Sequence, residues 1–444
     1  MGTRALRANR AEPGSALGTF LLALGTLARL ADSMAGTAPP LVALLQPRSR
    51  HTQGFSQSDA WDLPVQELAQ LLPGARLEPR RNHTVCILED ADEAVAQRAC
   101  ARSILTHSLY AVAGCGACLQ DALVESRAGP TSRVRVCVAT LTVLDLRRPY
   151  LSRSEAAELV SGVAHALCAL QGLPEGELAA DTLLLDAGSH FTFARRVGVG
   201  LAGGAGVPGS RPRRRFAGVL GKFALKERPF CMATTMEPEL AFLMASLAGV
   251  GPGARVLDAC CGSGGLLLCA AALGAARLVG MDTDPEAIAG AASNFAFYSL
   301  GQPPEATVTL HLADILRPAA SPALDGARGT FDAIVCDPPY GMATRVSAGG
   351  SVRATSVEPG QARVQVAEVT RALLQLALLA LAPGGRLVFF LPLRGSDAHL
   401  DGAGVLALLQ AWTPDELRSG LGLLISKKQT FSPTFARWLL VMER

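Results

Sequence analysis

From residue 238 to residue 391, short apolar runs take turns with longer stretches of helical pattern, and that alternation leaves few folds open. A helix is expected over Pro238–Leu247, followed by strand Ala254-Arg-Val-Leu-Asp258, a glycine turn and a helix through Leu273. Strand Arg277–Asp282, a helix from Pro285 to Leu300 and strand Ala306–Leu312 follow. A strand ending at Asp337 comes next, then the long apolar helix Val364–Leu381, the turn Pro383-Gly384-Gly385 and strand Arg386–Leu391. Strands alternating with helices pair in parallel, because each helix is the crossover that carries the chain back to the same edge. The expected fold class is α/β, with a parallel sheet covered on both faces.

Earlier residues follow a different grammar. Val65–Leu72 reads as a helix closed by Pro73-Gly74, and Arg133–Leu144 alternates at period two like a half-buried strand. Ser152 and Ser154, with Glu155 and Glu158 behind them, open a helical stretch to Leu170. Residues 39–186 are thus expected to form an α+β module with no catalytic signature of its own. Gly198–Arg215 is glycine-rich, broken by proline, and ends in Arg211-Pro-Arg-Arg-Arg215. It marks a linker over 187–228 ahead of a catalytic domain at 229–444. The arginines read equally as phosphate contacts or as a solvated basic loop. Residues 1–38 stand apart as an N-terminal extension. Arg4, Arg7, Arg10 and the run Ala16–Ala28 suit a transit peptide or signal, or an unstructured stretch ahead of a start at Met34.

The 11 cysteines lie mostly in apolar runs, which fits reduced thiols and a cytoplasmic location, with organellar targeting by the extension as the alternative. Cys115-Gly-Ala-Cys118 has no second pair at zinc-finger spacing and reads as two ordinary thiols. The Asn82-His83-Thr84 sequon reads as accidental. No stretch reads as a membrane span; the least charged, Ala259–Ala276, is studded with glycine. A net charge of +3 permits nucleic-acid binding without arguing for it.

Three strands end in acids. Asp258-Ala-Cys-Cys-Gly262-Ser263-Gly264-Gly265 is a strand-to-helix glycine turn that lets backbone approach a ligand closely. Asp282 closes the next strand, where a carboxylate accepts two ribose hydroxyls, and Asp314 follows the third, in reach of an adenine amine. A nicotinamide dinucleotide wants glycine at the sixth position of its turn, and Leu267 stands there. S-adenosylmethionine carries no phosphate, and its charged methionine end suits Asp258, so the ordered acids favour it.

The fourth strand ends in Asp337-Pro338-Pro339-Tyr340. Two prolines fix the backbone and leave their carbonyls free at the sheet edge where open α/β folds keep their crevice. An exocyclic base amine is a poor nucleophile, its lone pair being spread into the ring. Asp337 and the Pro338 carbonyl, accepting both amine hydrogens, hold it facing an electrophilic methyl. Tyr340 offers a stacking face, or is a core tyrosine.

These residues resemble a family. Asp337–Tyr340 with the glycine turn is similar to the class I N-methyltransferases of base amines. The segment KERPFCMATTMEPELAFLMA (Lys226–Ala245), the run DPPYGMATR and the ending ISKKQTFSPTFARWLLVMER resemble the tRNA guanosine-10 N2-methyltransferase family. So does NHTVCILEDADEAVAQRACARSILTHSLYAVAGCG, where that family has an RNA-binding THUMP-containing region. The resemblance runs from about Leu41 to Arg444 and weakens through 198–215. It implies a Rossmann-like, mostly parallel seven-stranded sheet preceded by a THUMP-like α+β region. It also implies S-adenosylmethionine-dependent methylation of the N2 amine of a tRNA guanosine, at position 10. Catalysis would fall to Asp337, Pro338, Pro339 and Tyr340, and cofactor binding to Asp258, Gly262, Ser263, Gly264, Asp282, Asp314, Thr234 and Met236. The implied partners are tRNA and a small zinc-binding activator subunit, with no membrane. The edge of the third strand (Val308, Leu310, Leu312) can receive such a subunit, or simply cover its own core. Two departures stand out: Asp258-Ala-Cys-Cys replaces the usual D-P-F, and Cys231-Met-Ala lacks the usual I-G-N, although Thr234 and Met236 match.

Two other readings stay open. One keeps the chemistry on another RNA amine, of ribosomal RNA or adenine N6. The other is a silent RNA-binding scaffold, against which the four acids Asp258, Asp282, Asp314 and Asp337 argue.

Overall fold

The computed structural model describes residues 41–45, 55, 57–79, 85–89, 91–116, 141–145, 182–186, 191–201, 219–300, 306–317, 324, 326–340, 343–346, 352–355, 359–413 and 420–444. The N-terminal extension, the sequon, Cys118, the Ser152–Leu170 helix and the Arg211–Arg215 loop lie outside the described residues.

The first sheet is built from β1 (Leu41–Leu45), β2 (Arg76–Pro79), β3 (Val85–Glu89), β4 (Thr106–Gly116), β5 (Leu141–Asp145), β6 (Thr182–Asp186) and β7 (Phe191–Val199), in the order β2-β3-β1-β4-β7-β6-β5. Helices α1 (Gln57–Leu71) and α2 (Glu93–Arg102) accompany it, and Leu68, Leu72, Ala96 and Cys100 pack onto Leu41, Ala43 and Leu109. One boundary moves. The linker expected from residue 187 instead contains β7, which pairs with both β4 and β6 near the middle of this sheet. Its Ala194-Arg-Arg-Val-Gly stretch carries no clear alternation, and pairing on both sides overrides the weak local signal.

The second unit alternates as expected: α3 (Pro238–Leu247), β8 (Arg255–Asp258), α4 (Gly265–Ala272), β9 (Arg277–Asp282), α5 (Pro285–Tyr298), β10 (Thr307–Leu312) and β11 (Phe331–Cys336). A short hairpin, β12 (Ala343–Val346) with β13 (Val352–Thr355), precedes α6 (Pro359–Ala380), β14 (Leu381–Arg394) and α7 (Gly402–Trp412). The chain closes with β15 (Gly422–Ser432) and β16 (Phe435–Glu443). The strand expected at Arg386–Leu391 is therefore longer, with the Pro383-Gly384-Gly385 turn taken up as an irregularity opposite β11.

Strand order is β10-β9-β8-β11-β14-β16-β15. The first five run parallel, while β16 is antiparallel to both β14 and β15. This is the class I methyltransferase sheet. Successive residues of its central strands point to opposite faces. Val256, Leu278, Ala333, Val335 and Val388 join one core with α3 and α4, whereas Leu257, Val279, Ile334, Leu387 and Phe389 join another with α6 and α7. Both faces are dry, as continuous apolar runs in a parallel sheet require. Order reverses between β8 and β11, so the crevice lies at their C-terminal ends.

The two units touch through α1. Phe55 and Leu63 share the core around α3, and Asp62 pairs with Lys427 at 3.1 Å. Glu67, fully buried, accepts from the Ser103 hydroxyl and the N–H groups of Ile104 and Leu105, which ties α1 to the turn before β4. No helix among the described residues is long and apolar enough to cross a membrane.

Candidate active site

The reversal point brings two acids together. Asp258 ends β8, Val335 of β11 is its register partner, and Asp337 follows two residues on. Asp258 is 1% exposed and accepts the Cys260 N–H at 3.2 Å. Burial pushes its carboxyl well above the ordinary 3.8, and the Asp282 and Asp337 carboxylates push the same way. Such an acid is held ready for a cationic ligand.

Around it the glycine turn is closely organised. Gly264 caps α4 with φ +77°, a conformation L side chains avoid, and an added Cβ would sit 3.2 Å from that of Ala291. Both oxygens of Asp282 are engaged by backbone: Oδ2 accepts the Gly262 N–H at 2.8 Å and Oδ1 the Asp284 N–H at 3.0 Å. The acid at the end of β9 thus fixes the turn after β8, with further lone pairs for a hydroxylated ligand. Asp314 is half-buried beyond β10 and accepts the Leu316 N–H at 2.9 Å.

The segment before α3 joins this site through residues that the sequence reading passed over. Thr235, rather than Thr234, reaches the buried Ser263, with 3.1 Å between the hydroxyl oxygens; Thr234 is exposed, and Met236 packs against the α3 core. Asn294 of α5 is fully buried. Its Oδ1 accepts the Phe230 N–H at 3.0 Å, and its Nδ2 donates to the carbonyls of Phe230 and Ser263, both at 2.9 Å. A polar residue on the inner face of an apolar helix was the signal available for it.

At the other side of the crevice Pro338 is buried and Pro339 exposed. The Tyr340 hydroxyl donates to Oδ1 of Asp337 at 2.7 Å, and Nη1 of Arg437 donates to the Tyr340 oxygen at 2.6 Å. Tyr340 is therefore neither a free stacking plate nor a plain core residue: its hydroxyl is tied into the acidic corner, and its ring lies 5.9 Å from that of Phe435. Burial raises the Asp337 carboxyl, opposed by Arg437 and by the Tyr340 hydrogen bond. Arg437 was missed, although a lone arginine inside the apolar strand Ala436–Met442 was visible. Among the described residues no cluster of three or more His, Cys, Asp or Glu suits a metal ion.

Asp258→Asn is expected to raise thermal stability at neutral pH by about 1 kcal/mol. The folded carboxyl lies above its unfolded value, so its contribution to stability is full below about pH 3.8 and is lost as pH rises. The variant's advantage should vanish in acid; melting curves across pH check this.

Residues 226–354 match the UPF0020 (RMKL-like) methyltransferase-domain family model, so this segment is a methyltransferase domain. The tRNA (guanine(10)-N2)-dimethyltransferase of Methanothermobacter thermautotrophicus is 35% identical over 116 residues, 26% of this chain and 31% of that protein. The tRNA (guanine(10)-N(2))-methyltransferase of Xenopus laevis is 28% identical over 191 residues, 39% and 40% of the two chains; that of Mus musculus is 27% identical over 245, 51% and 50%. The alignments thus span from about a third to half of the length of these relatives. Among solved structures, TrmN from Thermus thermophilus covers 91% of this chain and 99% of its own at 19% identity, with a TM-score of 0.42.

Proposed function

We propose that the chain transfers a methyl group from S-adenosylmethionine to the exocyclic N2 amine of a guanosine in tRNA, position 10 being the expected target. The observation that carries this reading is the pair of carboxylates at the β8–β11 reversal, buried Asp258 and half-buried Asp337, near enough for Asp337 to push the Asp258 carboxyl upward. The cofactor, once bound, supplies an electrophilic methyl on a sulfonium.

Everything else is done by side chains and backbone of this chain. Asp258 holds the ammonium end of the donor, and its raised carboxyl regains a counter-charge there. Asp282, pinned by Gly262 and Asp284, would receive ribose hydroxyls, and Asp314 would accept the adenine amine. The turn at Gly262–Gly264 lets the donor lie against the backbone without a side chain between them. Asp337 and the Pro338 carbonyl accept the two hydrogens of the substrate amine, turning its lone pair toward the methyl. The methylated amine is strongly acidic while cationic, so its proton leaves without a dedicated base. A base inside folded RNA leaves its stack before it reaches this corner.

Two partners belong to the proposal. The first sheet, read as THUMP-like, presents the tRNA. A small zinc-binding activator subunit fits the outer edge of β10, where Leu312 is 61% exposed and Phe297 of α5 58% exposed. Among the described residues no strand pairs with this edge, and such an edge is a template for another chain. A cytoplasmic location, with an organelle as the alternative if residues 1–38 act as a targeting segment, belongs to the same proposal.

Methyl transfer into unmodified tRNA, with the activator co-expressed and the product mapped nucleoside by nucleoside, tests the reading. N2-methylguanosine at one tRNA position, absent with Asp337→Ala, is the expected result. N6-methyladenosine in its place would refute the guanine assignment, and absence of donor binding would refute the enzyme.

A further inference from the structure

Arg437 stands near the start of β16 among Ala436, Trp438 and Leu439, and is 9% exposed. A buried charge is a poor way to stabilise a sheet, since an apolar residue of similar volume often does better. Its contacts show a different use. Nε donates to the buried Gln429 of β15 at 2.8 Å, and the guanidinium lies 3.8 Å from the ring centroid of Phe390 on β14. The rings of Phe390 and Phe431 leave the planar cation little freedom to tilt, Phe431 lying 5.2 Å away. Its remaining reach is toward the acidic corner: Nη1 donates to the Tyr340 oxygen at 2.6 Å and lies 4.0 Å from Oδ1 of Asp337. That same Oδ1 accepts the Tyr340 hydroxyl at 2.7 Å.

We propose that Arg437 is a positioning residue for methyl transfer: by clamping the Tyr340 hydroxyl against Oδ1 of Asp337, it sets the carboxylate plane so that Oδ2 and the Pro338 carbonyl face the substrate amine. The proposal rests on reading this corner as the amine-binding site. Oδ1 is thereby occupied from within the protein, and the carboxylate keeps one oriented oxygen for the substrate instead of rotating freely. Arg437 also keeps that carboxylate ionised. Four groups act on Asp337 or are acted on by it: Tyr340 beside it in the chain, Arg437 from β16, the Asp258 carboxylate from β8 and the Cys336 thiol of β11. Among them the arginine is the cation, and with the Tyr340 hydrogen bond it opposes the upward push of burial. Without it Asp337 protonates at higher pH, and a protonated acid has lost the negative charge that draws the amine hydrogens.

The test uses the full chain with the activator, S-adenosylmethionine and unmethylated tRNA, comparing wild type with Arg437→Gln, Arg437→Lys and Tyr340→Phe. Arg437→Gln should lower kcat by on the order of 10²-fold, the scale of a small misplacement of reacting groups, with donor binding retained. The acid limb of its kcat/KM profile should move to higher pH, because Arg437 holds the Asp337 carboxyl down. Tyr340→Phe should lower kcat in the same direction by less. Arg437→Lys should return the acid limb to its wild-type place, since the charge is kept, yet recover kcat only in part, since the planar fork is not. An unmoved acid limb in Arg437→Gln overturns the proposal, as does a loss of kcat that follows a loss of donor binding and melting temperature. If Arg437→Gln fails to fold, Tyr340→Phe decides: wild-type kcat there overturns it. Asp337→Ala as active as wild type would instead sink the amine-site reading itself, and this proposal with it.

Discussion

Asp337→Ala is expected to reduce kcat by about 10²–10³-fold while donor binding stays close to wild type, as titration calorimetry and single-turnover methylation would show. The size follows from what the carboxylate does. In the proposed reaction it is one of two acceptors for the amine hydrogens, the other being a backbone carbonyl that no substitution removes. A preorganised acceptor largely withdrawn from solvent, as the Asp337 side chain is at 20% exposure, stabilises developing charge more than the same group would in water. Donor binding should be spared because the residues proposed to hold the donor, Asp258, Asp282 and the glycine turn, follow β8 and β9, on the far side of the reversal. Asp337→Asn should fall between, because an amide oxygen still accepts one hydrogen without carrying charge. A variant that loses donor binding and kcat together would mean that Asp337 serves the donor instead.

The second large effect is on the fold. Asn294→Ala should destabilise the catalytic unit by about 3 kcal/mol, because the part-buried N–H and carbonyl of Phe230 and the buried Ser263 carbonyl lose their partner at once. For a unit of this size that lowers the melting temperature by roughly 10 °C. The consequence reaches the site, since Asn294 fastens Phe230 and Ser263 to each other through one amide. The Phe230 ring already fills the space beside Gly290, where an added Cβ would lie 2.0 Å from it. Once unfastened, the segment carrying Thr235 and Met236 should exchange its amide hydrogens faster, and donor affinity should weaken with it. Asn294→Asp separates the contributions: it keeps the acceptor for the Phe230 N–H but sets a carboxylate oxygen against two carbonyls. It should be at least as destabilising as alanine. Unchanged melting in both variants would mean that the amide bridge does not hold the segment.

Much of the catalytic unit was legible before any coordinate. The strands ending at Asp258 and Asp282, and the one that stops at Cys336 just before Asp337, lie where the apolar runs placed them, because a strand buried on both faces leaves a continuous signature that few other elements imitate. Helix starts were legible too: Pro285 follows Asp284, whose carboxylate accepts the Glu286 N–H at 2.9 Å. Helix α6 starts at Pro359, five residues before the expected Val364, and β14 runs past both expected ends. Ends are decided by neighbours more than by local pattern. The strand β7 escaped notice for the same reason: its residues have no strong preference, and pairing with β4 and β6 made the choice.

The order of residues along the chain determined which groups could do chemistry here: acids closing successive strands, a turn that only glycine tolerates, and an aspartate stiffened by two prolines. These are local matters, settled within about ten residues by backbone geometry and burial. The tertiary structure decided who meets whom. Arg437 lies 97 residues from Tyr340, and Asn294 lies 64 from Phe230. Contacts of that span exist because an antiparallel last strand enters beside β14 and because α5 packs back onto the glycine turn. Nothing in a short window encodes such a meeting, since it depends on the whole sheet closing before either pair can form.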